Sequence, residues 1–440
     1  MDFIRHIKTK LSENRRAIIE EYEGEIEVGS LSELERAAKE MSYELGAEII
    51  QQTLEAADGK YPIASKECKY CGGEARYIRR REGMSITLQG RVYYRRAYYS
   101  CKQCGKGHYP LDERLKIKPG EMSAEVVQMA ALLGIHDSFK TSSDVLARAT
   151  LLELSPNSIR KACHLMGERV IAHEEKLEAD SQDLEKQCEH KRAQSPRQLY
   201  GSMDGFMVLF EDGWHEMKGG TWWTLDAEGD LDHLQYYVDS SQADEFTHLV
   251  WAIGFEQLAD QAAELIFVTD GAEWIERIIR QHFPHALLIV DWYHACEYLT
   301  PLAPLAKVSK FEQAQWLEHT ITDLWEGRIA QVIEAASTLI RPHLNVDDDP
   351  AQKAVRYFSN QRSRMNYPLY RQMGYSIGSG IMESACKQLG LERLKIAGAR
   401  WGEDRADPGR KRQGSAGDSG HHRRSSPCGG TQCKGGRYGQ

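Results

Sequence analysis

Between residues 198 and 295 strand-like and helix-like segments alternate, and no other stretch of the chain restricts the fold as tightly. "RQLYGSMDGFMVLF", "HEMKGGTWWTLD" and "LDHLQYYVDS" are successive runs rich in apolar, aromatic and β-branched residues, separated by turn-forming Gly and Asp. "QADEFTHLVWAIGFEQLA" then repeats apolar residues at three- and four-residue steps, as an amphipathic helix does. A short apolar run, "ELIFVTDG", a second amphipathic segment, "AEWIERIIRQHFP", and a last apolar run, "HALLIVD", complete the series. Three strands, a helix, a strand, a helix and a strand predict an α/β layer structure, a sheet with helices on both faces. The last two apolar runs each end in an aspartate, Asp270 and Asp291, 21 positions apart, and Asp204 stands in the middle of the first run.

This order is that of an RNase H-like core, in which the first strand lies beside the fourth. Asp204 and Asp270 are then expected to meet at one edge of the site. A buried, unpaired aspartate is costly, and two converging aspartates repel. Divalent cations held between them offset that cost. Two Mg²⁺ (or Mn²⁺) ions about 3.5–4 Å apart activate a nucleophilic oxygen and stabilise the leaving oxygen of a phosphodiester. A third carboxylate is expected from "GSGIMESACKQLGLERLKIAGARW", where Gly378 and Gly380 precede an amphipathic helix and Glu383 falls in its first turn. Asp226, Glu228, Asp230 and Asp232, in "LDAEGDLDH", are expected to be solvated turn residues, and Trp222 and Trp223 to pack in the sheet. The catalytic domain is placed at 198–400, with inserted helices over 296–370.

Upstream, residues 61–120 form a different module. Two CxxC pairs, Cys68/Cys71 and Cys101/Cys104, flank "ITLQGRVYYRRAYYSC", which reads as a hairpin turning near Gly90. Four thiolates on two knuckles suit a closed structural Zn²⁺ site, so the module is expected to be zinc-ribbon-like. The 29 residues between the pairs exceed the common spacing, which an extended hairpin accommodates. A redox use of the pairs is the other reading. "YIRRR" and "YYRRAYY" interleave Arg with Tyr, and Arg79, Arg80, Arg81, Arg95 and Arg96 are the candidate DNA contacts. Residues 61–120 hold 14 Lys and Arg against 5 Asp and Glu, whereas residues 198–295 hold 3 against 18. One module can therefore grip a polyanion while the other collects cations, despite an overall charge of −9.

Residues 1–60 are expected to be a helical packing or dimerising region. Residues 121–175 carry helical segments in which Ser155 and Pro156 start a capped helix, a helix-turn-helix-like pattern. Residues 176–197 are charged and apolar-poor, a solvated helix or linker. Residues 401–440 read as a disordered tail: from Gly402 the chain has no Leu, Ile, Val, Met or Phe. A frameshift would explain this ending, and a basic DNA-binding extension is the alternative. No apolar stretch approaches the roughly 20 residues that span a bilayer, and the N-terminus lacks the apolar core of a signal peptide. A cytoplasmic, nucleoid-associated protein without membrane contact is the expectation.

Taken together, the doubled CxxC, "SMDG", "TDGAEWI", "DWYHACEYL", "GSGIMESACKQL" and "RLKIAGARW" resemble a bacterial insertion-sequence transposase with a DDE catalytic triad, closest to the ISKra group. The resemblance covers about residues 60–400. It implies recognition of terminal inverted repeats, metal-dependent strand cleavage and strand transfer into target DNA, by a homo-oligomer that pairs two ends. In related Mutator-like and hAT-like transposases the second catalytic aspartate follows the fourth strand, and a C/D-x-x-H string follows at the fifth. Asp270 matches the first position, and Asp291 with His294 matches the string. The expected triad is therefore Asp204, Asp270 and Glu383, with Asp291 capping the helix that starts near Trp292 and His294 in its first turn. A DNA-binding regulator with an inactive RNase H-like domain, and an RNase H-like nuclease, are the competing functions. The resemblance also implies basic DNA contacts in the insertion, with Arg356, Arg362, Arg364 and Arg371 as candidates.

Overall fold

The computed structural model describes residues 30–59, 63–191, 195–345 and 348–386, the side chains of Glu383 and Ala385 excepted. The expected tail at 401–440 lies outside the described residues. The chain divides into two compact units, residues 1–134 with 138–163, and residues 135–137 with 164–440.

In the first unit, α1 (Leu31–Asp58) starts at Ser30, whose side chain accepts the Glu33 amide. Four antiparallel strands follow in sheet order: β1 (Ser65–Glu67), β2 (Glu74–Thr87), β3 (Gly90–Cys101) and β4 (Gly107–His108). Thr87 pairs with Gly90 across a two-residue turn, and Ala75, at the start of β2, pairs with Cys101, at the end of β3. The chain thus runs out along β2 and back along β3, and the two CxxC knuckles arrive at the same end of the sheet. The last turn of α1 covers part of the β3 edge. There Glu55 accepts the Arg95 amide at 3.1 Å and Asp58 accepts the Ala97 amide at 3.0 Å. Ladder donors on a strand edge need such partners. Beyond α2 (Pro110–Leu115) come α3 (Ala124–His136) and α4 (Phe139–Thr150), joined through Asp137 and Ser138, and then α5 (Pro156–Gln182). Ser155 caps α5, its hydroxyl accepting the Ser158 amide at 3.1 Å. With α6 (Leu184–His190), α5 makes most of the expected 176–197 linker helical, and the expected boundary at 175 falls inside a helix.

The second unit is a mixed α/β layer structure built on a five-stranded sheet in the order Leu231–Asp239, Gly213–Leu225, Gln198–Phe210, Glu264–Thr269, Leu287–Val290. β5 (Gln198–Phe210), β6 (Gly213–Leu225) and β7 (Leu231–Asp239) form an antiparallel meander. β8 (Glu264–Thr269) and β9 (Leu287–Val290) run parallel to β5. The helices between them are α7 (Ala243–Glu256) and α8 (Glu273–His282), and α9 (Trp292–Glu297) follows β9. Adjacent residues of a strand point to opposite faces, and β6 uses both. Trp222 packs with Phe267 and Phe283 on the α7/α8 face. Trp223 stacks on Tyr200 at 5.2 Å on the other face. Both indoles are fully buried. That second face is covered by the inserted helices α10 (Ala303–Ala306), α11 (Lys310–Trp325), α12 (Ile329–Ser337), α13 (Pro350–Gln361) and α14 (Tyr367–Gln372). A last short helix, α15 (Gly380–Ala385), packs on β5 and β6. Asp226, Glu228 and Asp230 lie in the exposed β6–β7 turn, where Asp226 accepts the Glu228 and Asp230 amides, whereas Asp232, expected in the turn, is an exposed residue of β7 because the β6–β7 pairing already starts at Leu231.

Candidate functional site

Asp204 stands in the middle of β5, and Asp270 and Asp291 each stand one residue past the carboxyl ends of its parallel neighbours, β8 and β9. The β5–β8 ladder ends at the Gly201–Phe267 pair, three residues before Asp204 on one strand and Asp270 on the other, and the Asp270 charge acts on the Asp204 carboxyl. The register that pairs Thr269 with Val290, carried one residue further, sets Asp270 opposite Asp291. Ser202, fully buried, adds a hydroxyl bond to the Val268 carbonyl at 2.6 Å. In open α/β sheets ligands bind at these strand ends.

The three carboxylates have different surroundings. Asp204 is partly buried; one oxygen accepts the Gly205 amide at 2.7 Å and the other lies 3.7 Å from the Cys386 thiol. Burial pushes its carboxyl above the ordinary range, and the Asp270 charge adds to the push. The Gly205 amide, the Cys386 thiol and His294 oppose it. Asp270 lies one residue beyond β8, and its Oδ1 accepts the Ala272 amide at 2.8 Å across Gly271. Asp291 is only 4% exposed and fully engaged. Its Oδ1 accepts the His294 amide at 2.6 Å, capping α9, and its Oδ2 accepts the Ser379 amide. The Trp292 amide donates to the Ile377 carbonyl at 2.8 Å. A Cβ at Gly378 would come within 2.9 Å of the Tyr293 ring, which would have to shift to make room. Asp291 therefore acts as a cap that pins the strand of chain leading into α15.

Glu383 falls in α15 as expected, and its side chain lies outside what is described. The helix itself is anchored beside the aspartates. Met382 is 2% exposed against β6, where a Cβ on Gly219 would meet its methyl at 3.1 Å. Cys386, one turn beyond position 383, reaches Asp204. His294 sits with its ring edge-on to Tyr298 and Tyr357, and its Nδ1 lies 3.4 Å from Glu297. Sequence reasoning missed Cys386, Tyr357 and Gln361, whose partners near the site are 87 to 182 positions away.

In the first unit the sulfurs of Cys68, Cys71, Cys101 and Cys104 lie within 4.8 Å of one another. Cys68 to Cys104 and Cys71 to Cys101 are each 3.7 Å apart. Each knuckle is a tight turn: the Gly72 and Gly105 amides donate to the Cys68 and Cys101 carbonyls, with φ of +72° and +70°. The amides of Cys104 and Gln103 aim at Cys101 and pull its thiol down to about 7. At Cys71 the Gly73 amide pulls the same way, but burial and the three neighbouring thiols outweigh it and push the thiol up to about 12. Among the described residues this quartet is the one group of three or more potential ligands drawn so close together.

The five arginines expected to touch DNA do not share one environment. Arg79 and Arg95 are exposed. Arg80 pairs with the buried Asp58 at 3.4 Å, and Arg81 lies over the Tyr98 ring at 3.7 Å. Arg96 is 4% exposed, pairs with Asp112 at 2.7 Å and stacks on Tyr109, so it holds the fold together instead of presenting a surface charge. Of the insertion arginines, Arg364 pairs with Glu276 and Arg371 stacks on Trp325, while Arg362 is exposed.

Residues 26–339 match the Uncharacterised protein family (UPF0236). The chain belongs to the UPF0236 family. Similar UPF0236 members come from Caldanaerobacter subterraneus subsp. tengcongensis. UPF0236 protein TTE2489 is 24% identical over 296 residues, which cover 65% of this chain and 58% of the relative. A second is 24% identical over 295 residues with the same coverage, and its name joins eleven gene labels, from TTE0033 to TTE2212. This UPF0236 chain thus aligns with less than two-thirds of each relative's length. No helix among its described residues is long and apolar enough to cross a membrane.

Proposed function

We propose that this chain is a DDE transposase that binds the ends of its own mobile element and catalyses Mg²⁺-dependent cleavage and transfer of DNA strands. The observation that carries this reading is the approach of Asp204 on β5 to Asp270 just past the parallel β8, close enough for one charge to act on the other, beside the helix that carries Glu383. The sheet order, with three antiparallel strands followed by two parallel ones, supports an RNase H-like core. Asp204 also fits a cation site. Its burial and the nearby Asp270 charge leave a carboxyl that disfavours ionisation, and a hard divalent cation reverses that preference. Once bound between Asp204, Asp270 and Glu383, such cations supply a deprotonated nucleophile and charge neutralisation at the leaving oxygen. Asp291 holds the chain before α15 in place, and His294 lies within range of the Asp204 charge.

The cysteine quartet fits a structural Zn²⁺ site. Tetrahedral Zn–S bonds of about 2.3 Å put the sulfurs about 3.8 Å apart, close to the two 3.7 Å separations. Such a zinc ribbon, with Arg79 and Arg95 exposed on its hairpin, supports a role in gripping DNA. The relative whose name joins eleven gene labels adds support, because a protein repeated through one genome fits an element that moves or copies itself.

The test is a strand-transfer reaction with the purified full chain, Mg²⁺ and DNA taken from both sides of its own gene. Products joined to a target plasmid are expected. Cutting of hybrids or junctions without joining would make the protein a nuclease, and binding without any cutting would make it a regulator.

A further inference from the structure

Two side chains on the inserted helices grip the loop that carries Asp270. Tyr357 and Gln361 lie one turn apart on α13. The Tyr357 hydroxyl donates to the Asp270 carbonyl at 3.0 Å, and the Gln361 amide donates to the Gly271 carbonyl at 2.9 Å. One helix face thus holds two consecutive carbonyls of a turn that Asp270 itself closes through the Ala272 amide. Gly271 has φ +89°, and a Cβ there would come within 2.9 Å of the Gln361 amide, so the loop and the helix fit each other without spare room. Neither donor is free to swing. The Tyr357 ring stacks on Tyr298 at 3.9 Å and 9°. Gln361 is 7% exposed, and its oxygen accepts from Arg364, which in turn pairs with Glu276 on α8, the helix that follows the loop.

We propose that Tyr357 and Gln361 are positioning residues that set the direction of the Asp270 carboxylate toward divalent cations, an assignment that rests on the metal-dependent reading above. They touch only the backbone of the loop and act through it. The inserted helices thereby become part of the metal site's support, and movement of α13 changes cation affinity. Partners of ligands at this remove are typically worth about 10- to 100-fold in metal affinity or activity.

The experiment compares the full-length wild type with Tyr357→Phe, which keeps the ring stack, and Gln361→Met, which keeps the side-chain length. Mn²⁺ binding is measured by calorimetry, with Asp270→Asn as the reference for binding elsewhere on the chain. Deuterium exchange is followed in the peptide spanning residues 268–274, and cleavage is followed against Mn²⁺ concentration. Each variant is expected to need about tenfold more Mn²⁺ for half-occupancy, to exchange the loop amides faster, and to regain much of its cleavage rate at saturating Mn²⁺. The double variant should exceed either single one. Unchanged Mn²⁺ affinity overturns the proposal, whether loop exchange is unchanged or faster, because the contacts would then be packing alone. A wild type without Mn²⁺ bound at Asp270 also overturns it. A wild type that binds Mn²⁺ there but never cuts DNA sinks the transposase reading and leaves the clamp to be judged by affinity and exchange.

Discussion

Substituting Asp291 and Asp204 should change stability in opposite directions, although both belong to or directly follow strands of one sheet. The two oxygens of Asp291 each take a different backbone N–H, from His294 and from Ser379. Asp291→Ala removes a helix cap, worth about 0.5–2 kcal/mol, and orphans a second amide, worth about 1–3 kcal/mol. The combined loss is about 1.5–5 kcal/mol. Asp291→Asn keeps one acceptor but turns its NH₂ toward the other N–H, so it should still lose about 1–3 kcal/mol. Asp204→Asn removes a charge that burial and Asp270 both disfavour, so it should leave the unit as stable or more stable at neutral pH. A raised carboxyl pKa means that the native state holds its proton longer than the unfolded chain does. Wild-type stability should therefore fall as pH rises from the ordinary carboxylate range through the raised Asp204 value, and the advantage of Asp204→Asn should vanish at lower pH. The assay is urea unfolding followed by tryptophan fluorescence. All nine tryptophans lie at or beyond position 214, so the signal reports the second unit alone. Neutral behaviour of Asp291→Asn together with destabilisation by Asp204→Asn would refute the assignment of cap and ligand.

Elemental analysis should find about one Zn²⁺ per chain, lost in Cys68→Ser or Cys101→Ser. Chelation should open residues 63–120 to trypsin while the tryptophan-reported unfolding of the second unit stays unchanged. Arg96→Ala, which strands Asp112 in a buried ion pair, should cost about 3–5 kcal/mol in the first unit, measured by thermal melting. Arg79→Ala and Arg95→Ala should leave that melting unchanged and weaken DNA binding measured by fluorescence anisotropy, with a shallower salt dependence.

The strands and helices of the second unit were legible because both of their periodicities are written in apolar residues. β6 runs Gly213–Leu225, and its two adjacent tryptophans mark a strand buried on both sides. The cap at Asp291 was legible too, since an aspartate before a helix is a local signal. Long-range partnership was not. Nothing local distinguishes Arg96 from Arg95, yet alternation along β3 turns one inward onto Asp112 and the other outward. Tyr357 and Gln361 read as ordinary helix residues until α13 folds against a loop 87 to 90 positions earlier. The long gap between the CxxC pairs was legible as an extended hairpin turning near Gly90, and the pairing of Ala75 with Cys101 brings its ends together. Of the two readings of residues 176–197, the helix is the one found over most of the segment, because charged residues without apolar spacing suit a solvated helix as well as a linker.

The most direct test of the metal-dependent carboxylate site is single-turnover cleavage, in Mg²⁺, of DNA carrying the sequences that flank the gene. The wild type should cut it, and Asp204→Asn, Asp270→Asn and Glu383→Gln should each fall to background while binding the same DNA as tightly. Cutting by Asp270→Asn at the wild-type rate would contradict the account.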